Sequence, residues 1–212
     1  KIFCTAPTKQ IAKLILADSA KIQEEEASKA NQEHFSKHNP AEPLYTVTDA
    51  EQVTSFFRVV EKDLQIRLSE DAFFSFFQAG HILGACSISL YVDGKEFVFS
   101  GDIGQDDDVL MYPPQKPKSG DFIFLESTYG NRIHPETDVY FELENIINET
   151  VVKGGNVIIP SFAVERAQTL MYLLWQLKKQ NRIPDIPYII DTPMGIKVID
   201  VFNENFKWHK LN

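Results

Sequence analysis

The chain has 212 residues, 43% of them hydrophobic and 12% aromatic, enough to bury a substantial core as one large domain or as one domain with part of another. Its formal net charge of −9, from 21 Lys and Arg against 30 Asp and Glu, repels a polyanion at long range unless metal ions or a local basic patch offset it. Cys4 and Cys86 stand far apart with neither a Cys-x-x-Cys nor a paired spacing, so no disulfide framework or zinc knuckle is indicated, and a reducing cytoplasm is the expected setting.

The chain opens Lys1-Ile2-Phe3-Cys4 without an initiator Met, as if in mid-strand, and further residues upstream are expected. No basic segment precedes an apolar run there, so no signal peptide is read. Residues 2 to 5 form a short strand. Pro7 suits the first turn of a helix whose apolar positions Ile11, Leu14, Ile15 and Ile22 keep helical spacing to about Ala27. The polar run from Ser28 to Glu33, and on to His38-Asn39-Pro40, reads as a surface connection. A second helix is expected to start at Asp49, capped by that residue, with Val53, Phe56, Phe57 and Val60 turned inward.

Three strands are predicted next, Phe73 to Phe77, Cys86 to Val92 and Lys95 to Ser100. The stretch from Ala72 to Val92 lacks Asp, Glu, Lys and Arg, but its Gln, His, Gly and Ser residues and its strand-like alternation from Cys86 exclude a membrane span. Asp93-Gly94 is a two-residue hairpin signal that fixes register. If Val92 faces Lys95, Asp102 falls opposite Ala85, at the same sheet edge as His81. Asp121 to Leu125 is nearly continuous in apolar residues, as buried parallel strands are, with Glu126 at its C-terminal end. Pro135 is read as opening a helix with Val139, Leu143, Ile146, Ile147 and Val151 on one face, stopped by Gly154-Gly155. Asn156 to Pro160 is a strand, Val164 to Gln180 a helix with Ala167, Leu170, Met171, Leu174 and Leu177 on one side, and Pro187 to Asp191 a strand. Such alternation implies a parallel sheet covered on both faces.

Three segments could carry chemistry. In Gln78-Ala79-Gly80-His81-Ile82-Leu83-Gly84-Ala85 a histidine lies between glycines that let the backbone bend sharply and bring the imidazole to a strand edge, where a core histidine would not need them. In Ser100-Gly101-Asp102-Ile103-Gly104 the bland reading is a turn, but the hairpin register sets the Asp102 carboxylate beside His81, a donor mixture that suits Zn²⁺ or a similar ion. Glu126 ends an apolar strand, where open α/β sheets place active groups, although a turn carboxylate would look the same. His34 and His38, four residues apart in a very polar stretch, read as solvated surface. His134 and His209 receive no role.

Gly80-His81-x-Leu83-Gly84-Ala85, Ser100-Gly101-Asp102 and Glu126-Ser127-Thr128-Tyr129-Gly130, in this order, resemble the β-CASP family of metallo-β-lactamase-fold nucleases. Pro160-Ser161-Phe162-Ala163-x-x-Arg166-Ala167-Gln168 and Asp191-Thr192-Pro193-Met194-Gly195 resemble two signature segments of its inserted domain, and Cys4-Thr5-Ala6-Pro7-Thr8 the segment after its first metal-binding loop. The resemblance implies an α/β chain with a partial metallo-β-lactamase αββα fold over residues 1–130 and the start of an inserted Rossmann-like β-CASP domain over residues 131–212. It further implies that His81 binds one zinc, that Asp102 bridges two, and that Glu126 orients a histidine supplied later in the chain, which protonates the leaving oxygen. Two divalent ions ready a water for attack and stabilise charge on the phosphoryl group.

Departures accompany the match. The family's His-x-His-x-Asp-His motif is expected upstream and its later motif histidines downstream, leaving His81 and Asp102 as ligands. The 212-residue piece alone is therefore expected to be inactive and to hold at most weak metal. Glu165 occupies a place where many relatives carry Gly. Zinc-dependent RNA hydrolysis, endonucleolytic, exonucleolytic or both, is the function implied for the parent protein. RNA is the expected partner, a membrane is not, and a homo-oligomer is left open. Two alternatives stand beside it: a non-catalytic partner subunit with decayed metal motifs, which intact His81, Asp102 and Glu126 disfavour, and another hydrolase of the same fold, which the segment after residue 130 disfavours.

Overall fold

The computed structural model describes residues 1–116, 119–133 and 137–211, so the helix start expected at Pro135, and His134, lie outside the described residues. The chain is mixed α/β, as the sequence indicates, and divides into two compact units, residues 1–125 with 197–212 and residues 126–196. Residues 197–212 pack within the first unit. There Asn205 Nδ2 donates to Gln10 Oε1 at 2.6 Å and Lys210 N to Leu110 O at 2.7 Å.

In the first unit, β1 (Ile2–Cys4) leads into α1 (Ala6–Glu33), capped by Thr5, whose backbone is extended and whose side-chain oxygen accepts the Thr8 N–H. The helix runs past the expected end at Ala27 and absorbs the polar run to Glu33. Ion pairs of Lys21 with Glu25 and Lys29 with Glu33 line its exposed face, and nothing breaks it before His34 caps it in the left-handed region at φ 55°. The next helix, α2 (Val47–Val53), starts earlier than expected and is capped by Thr46. Asp49 is the reciprocal member of a capping box, its carboxylate accepting the Thr46 N–H at 2.9 Å. A single 3₁₀ turn follows, and then β2 (Phe57–Val59), parallel to β1. Phe57 is thus buried from a strand, and Phe56, expected inside, is 55% exposed.

The main sheet has the order β3 (Ile66–Arg67), β4 (Ala72–Gln78), β5 (Cys86–Val92), β6 (Lys95–Phe99), β7 (Phe122–Phe124). Val92 faces Lys95 and Ile88 faces Phe99, the register read from the hairpin. Asp93 (φ 49°) and Gly94 (φ 76°) are both left-handed, as a type I′ turn requires. Phe74 and Phe76 on β4 are buried, and Phe74 meets Phe3 of β1 at a ring separation of 5.2 Å. β7 is parallel to β6, but it is not buried. Among the described residues it has a neighbour on one side only, and Phe122, Ile123, Phe124 and Leu125 are 49%, 66%, 54% and 67% exposed.

The second unit holds α3 (Val139–Val152) and α4 (Arg166–Lys179), whose Ile147 and Leu177 form a core with Ile183. Tyr140, Leu143, Val151 and Leu174 pack against it, while Val139, Ile146 and Met171, expected on the inner faces, are exposed. Residues 156–160 and 187–191 join no strand ladder among the described residues, and Ile158 and Ile189 are each 86% exposed. An extended segment becomes a strand only when another lies about 4.7–4.9 Å away to take its N–H and C=O groups, and these two do not pair with each other. The expected parallel sheet is not assembled from these residues. The last helix, α5, spans Pro193–Glu204.

Candidate metal centre

Between β4 and β5 the chain makes a closed loop in which Ala79 N donates to Ala85 O at 2.9 Å and Ala85 N to Ile82 O at 3.0 Å. Gly80 (φ 67°) and Gly84 (φ 86°) occupy the left-handed region on either side of His81, as their placement in the sequence suggested. Ala79 and Leu83, each 1% exposed, root the loop in the core. The hydroxyls of Thr5 and Thr8, at the start of α1, both donate to the Gly84 carbonyl oxygen at 2.9 Å. Those two threonines were noted only as part of a resemblance. A hydroxyl at the helix-capping position followed by Pro7 is the signal that could have singled them out.

The turn after β6 is fixed as firmly. Ser100 N donates to Phe124 O at 2.9 Å, and Ser87 Oγ donates to Ser100 O at 2.7 Å. Gly104 N reaches Ala79 O at 2.9 Å, and the backbones approach so closely that a Cβ on Gly104 would fall 1.8 Å from Gly80 O. The two loops are thereby pressed together, and His81 Nε2 comes within 3.9 Å of Asp102 Oδ2. Both side chains face water, 44% and 73% exposed. Glu126 opens the second unit, directly after Leu125 at the C-terminal side of β7, and its carboxylate accepts the Thr128 hydroxyl at 2.7 Å.

Zinc binds imidazole nitrogen and carboxylate oxygen at about 2.0–2.2 Å, so two donor atoms 3.9 Å apart can reach one ion. The pair therefore fits a divalent cation in donor type, and a tetrahedral ion would hold the two atoms about 3.4 Å apart. The pair does not complete a site, since no group of three or more His, Cys, Asp or Glu side chains gathers among the described residues. Cys86 adds no thiolate, because burial pushes its thiol up to about 12. Among the described residues, His34, His38 and His209 join no such pair. His34 ends α1 and His38 lies exposed beyond it, so the two never share a helix face. His209, buried beneath Phe202, has both ring nitrogens engaged, Nε2 at 3.0 Å from Phe202 O and Nδ1 accepting Leu211 N at 3.1 Å.

One group is not legible in the sequence: Gln78, Lys62 and Trp208 form a polar knot at the end of β4. Glu165, which stands before α4 where many relatives carry Gly, sits at φ 68° and ψ −57°.

An imidazole and a carboxylate presented side by side by two strand-end turns in a mixed α/β chain define a candidate metallohydrolase centre. Residues 167–212 match the Beta-Casp domain, so the chain carries a segment of that domain and is similar to the β-CASP family. It is 29% identical over 95% of its length to Ribonuclease TTHA0252 of Thermus thermophilus, spanning 42% of that protein. It is 32% identical over 82% of its length to Endoribonuclease ysh1 of Schizosaccharomyces pombe, of which it spans 21%. An RNase J-like protein of Methanocaldococcus jannaschii is 32% identical over 67% of this chain, which spans 34% of that protein. The chain thus spans less than half the length of these relatives.

Proposed function

We propose that the whole protein hydrolyses RNA phosphodiester bonds at a two-zinc centre to which His81 gives a terminal ligand and Asp102 a shared one, with residues 1–130 belonging to its metallo-β-lactamase part and 131–212 to its β-CASP part. The observation that carries the reading is the approach of His81 Nε2 to Asp102 Oδ2. When bound, the ions supply an acidified water and stabilise charge gathering on the phosphoryl oxygens. Asp102 offers two oxygens from a turn held by main-chain bonds and would be the carboxylate the ions share. Glu126 orients a histidine from later in the chain, and that histidine gives its proton to the oxygen that leaves phosphorus. Glu126-Ser127-Thr128-Tyr129-Gly130 and the ribonuclease names of the relatives support RNA as substrate, and the name endoribonuclease supports internal cleavage. Among the described residues no helix is long and apolar enough to cross a membrane, and both cysteines are free thiols, which suits a reducing cytoplasm.

Metal analysis and cleavage of a labelled RNA by the whole protein test the assignment. Asp102→Ala should remove metal and activity, His81→Ala should lower both, and Glu126→Gln should keep the metal while slowing cleavage. The 212 residues alone should not cleave. Full RNase activity in Asp102→Ala, or metal loss in Glu126→Gln, overturns the roles given; a wild-type protein that binds RNA-processing partners but never cleaves would favour the non-catalytic subunit.

A further inference from the structure

Gln78 is the last residue of β4 and stands three positions before His81, yet its polar side chain is only 3% exposed. Burying an amide is costly unless it is hydrogen-bonded, and this one is bonded at both ends. Its Oε1 accepts the Lys62 ammonium at 2.7 Å and its Nε2 donates to Trp208 O at 3.3 Å. Lys62 Nζ also lies 5.2 Å from the centroid of the Trp208 ring, which closes a triangle of amide, ammonium and indole. The main chain of Gln78 is gripped too, since its N–H donates to Gln115 Oε1 at 2.7 Å and its carbonyl accepts Gln115 N at 2.8 Å. The next residue, Ala79, accepts Gly104 N, two positions after Asp102.

We propose that Lys62 and Gln78 are positioning residues for the metal-binding loop, and that the C-terminal stretch around Trp208 seats them. Neither is a catalytic residue. They fix the end of β4, from which one turn carries His81 and one main-chain hydrogen bond reaches the loop of Asp102. An apolar side chain of the same length would fill the space at position 78 without the orientation, and the ammonium of Lys62 would lose its acceptor. Trp208 falls within the segment that matches the Beta-Casp domain, so the seating of that segment is felt at the imidazole. The inference rests on the proposed metal site, and the experiment separates the two.

The experiment uses the whole protein with side-chain-labelled histidine and compares wild type with Gln78→Leu, Lys62→Met and Asn205→Ala. Asn205 ties the same C-terminal stretch to Gln10 of α1 and does not bond to Gln78 or Lys62. Without metal, the His81 imidazole resonances should shift in Gln78→Leu and Lys62→Met and stay in place in Asn205→Ala. With Mn²⁺ added, paramagnetic broadening of His81 should need about tenfold more metal in the first two variants, the lower end of what outer-shell changes cost. Gln78→Glu, which keeps the acceptor for Lys62, should restore part of the affinity. Unmoved metal-free resonances in Gln78→Leu and Lys62→Met overturn the positioning role, as does an equal effect in Asn205→Ala. If Mn²⁺ leaves wild-type His81 unbroadened while the metal-free shifts appear as expected, positioning stands and the metal-site reading fails.

Discussion

Glu165 offers the sharpest test of how the backbone constrains this chain. It sits at φ 68° and ψ −57° immediately before α4, with Arg166 N donating to Val164 O at 2.9 Å across it. That is a γ-turn of the positive-φ kind, which is rare and strained for any residue with a Cβ. Strain of this sort costs roughly 1–3 kcal/mol. Replacing Glu165 by Gly removes it but loosens the unfolded chain, which gives back about 0.4–1 kcal/mol. The side chain makes no capping hydrogen bond to the helix, so that contribution is not lost. Glu165→Gly should therefore stabilise the protein by about 1 kcal/mol, a rise of roughly 2–4 °C in melting temperature for a chain of this size. Thermal unfolding followed by calorimetry measures it, with Glu165→Ala as the essential companion. Alanine removes the same charge from the same buried position but keeps the Cβ, so the difference between the two variants isolates the backbone. If alanine stabilises as much as glycine, or glycine destabilises, strain at this turn is not what the geometry says it is.

Gly84→Ala should destabilise by about 2–4 kcal/mol in urea unfolding, because a Cβ there meets Thr8 N at 2.7 Å at a φ of 86°, adding left-handed strain to overpacking; a change within 0.5 kcal/mol, a threshold typical of surface sites, would mean the loop yields freely. Ile123→Lys places a charge on the open edge of β7, where Ile123 is 66% exposed, and should raise the concentration at which the protein self-associates in sedimentation runs; an unchanged onset would show that this edge is not the sticky one. For Asp49, the hydrogen bond from Thr46 N, and then that from its hydroxyl, hold the carboxyl below its ordinary range. A folded value below the unfolded one, about 3.9, means the stabilisation is present above that pH and lost as pH falls through the folded value. The acid loss of helical circular dichroism should thus be smaller in Asp49→Asn than in wild type below about pH 4, and identical acid profiles would remove the capping box from the account.

What could be read from the sequence was what depends on neighbours in the chain. Asp93-Gly94 specifies its turn locally, the turn specifies register, and register carries Asp102 toward His81 without knowledge of the rest of the fold. The Thr46 capping box was also written in the sequence, as Thr followed three residues later by Asp, and preferring Asp49 as the cap misread it. The polar run after Ala27 lacks an apolar stripe and so reads as a connection, although its charge spacing supports a solvated helix. The apolar runs at 122–125, 156–160 and 187–191 have the composition of buried strands. Composition cannot state whether a partner strand lies alongside, and that decides burial. The knot at Gln78 was beyond reach for a related reason, since its partners lie 16, 37 and 130 residues away in the chain.

The way His81 and Asp102 are held bears on how their substitution should be interpreted. The bonds that bring them together belong to the main chain of their neighbours: Ala79 with Ala85, Ser100 with Phe124, Gly104 with Ala79, and the Gly84 carbonyl with two threonine hydroxyls. Neither the imidazole nor the carboxylate supplies any of them. Both side chains point into solvent, where even a charged contact 3.9 Å long contributes at most about 1 kcal/mol. Truncating either one therefore leaves the loops standing and removes only a donor. A loss of metal or of RNA cleavage in His81→Ala or Asp102→Ala, with the unfolding midpoint little changed, would then report on the chemistry of the centre. The same loss in Gly84→Ala would report on the scaffold, and the contrast assigns chemistry to the two exposed side chains and presentation to the buried turns behind them.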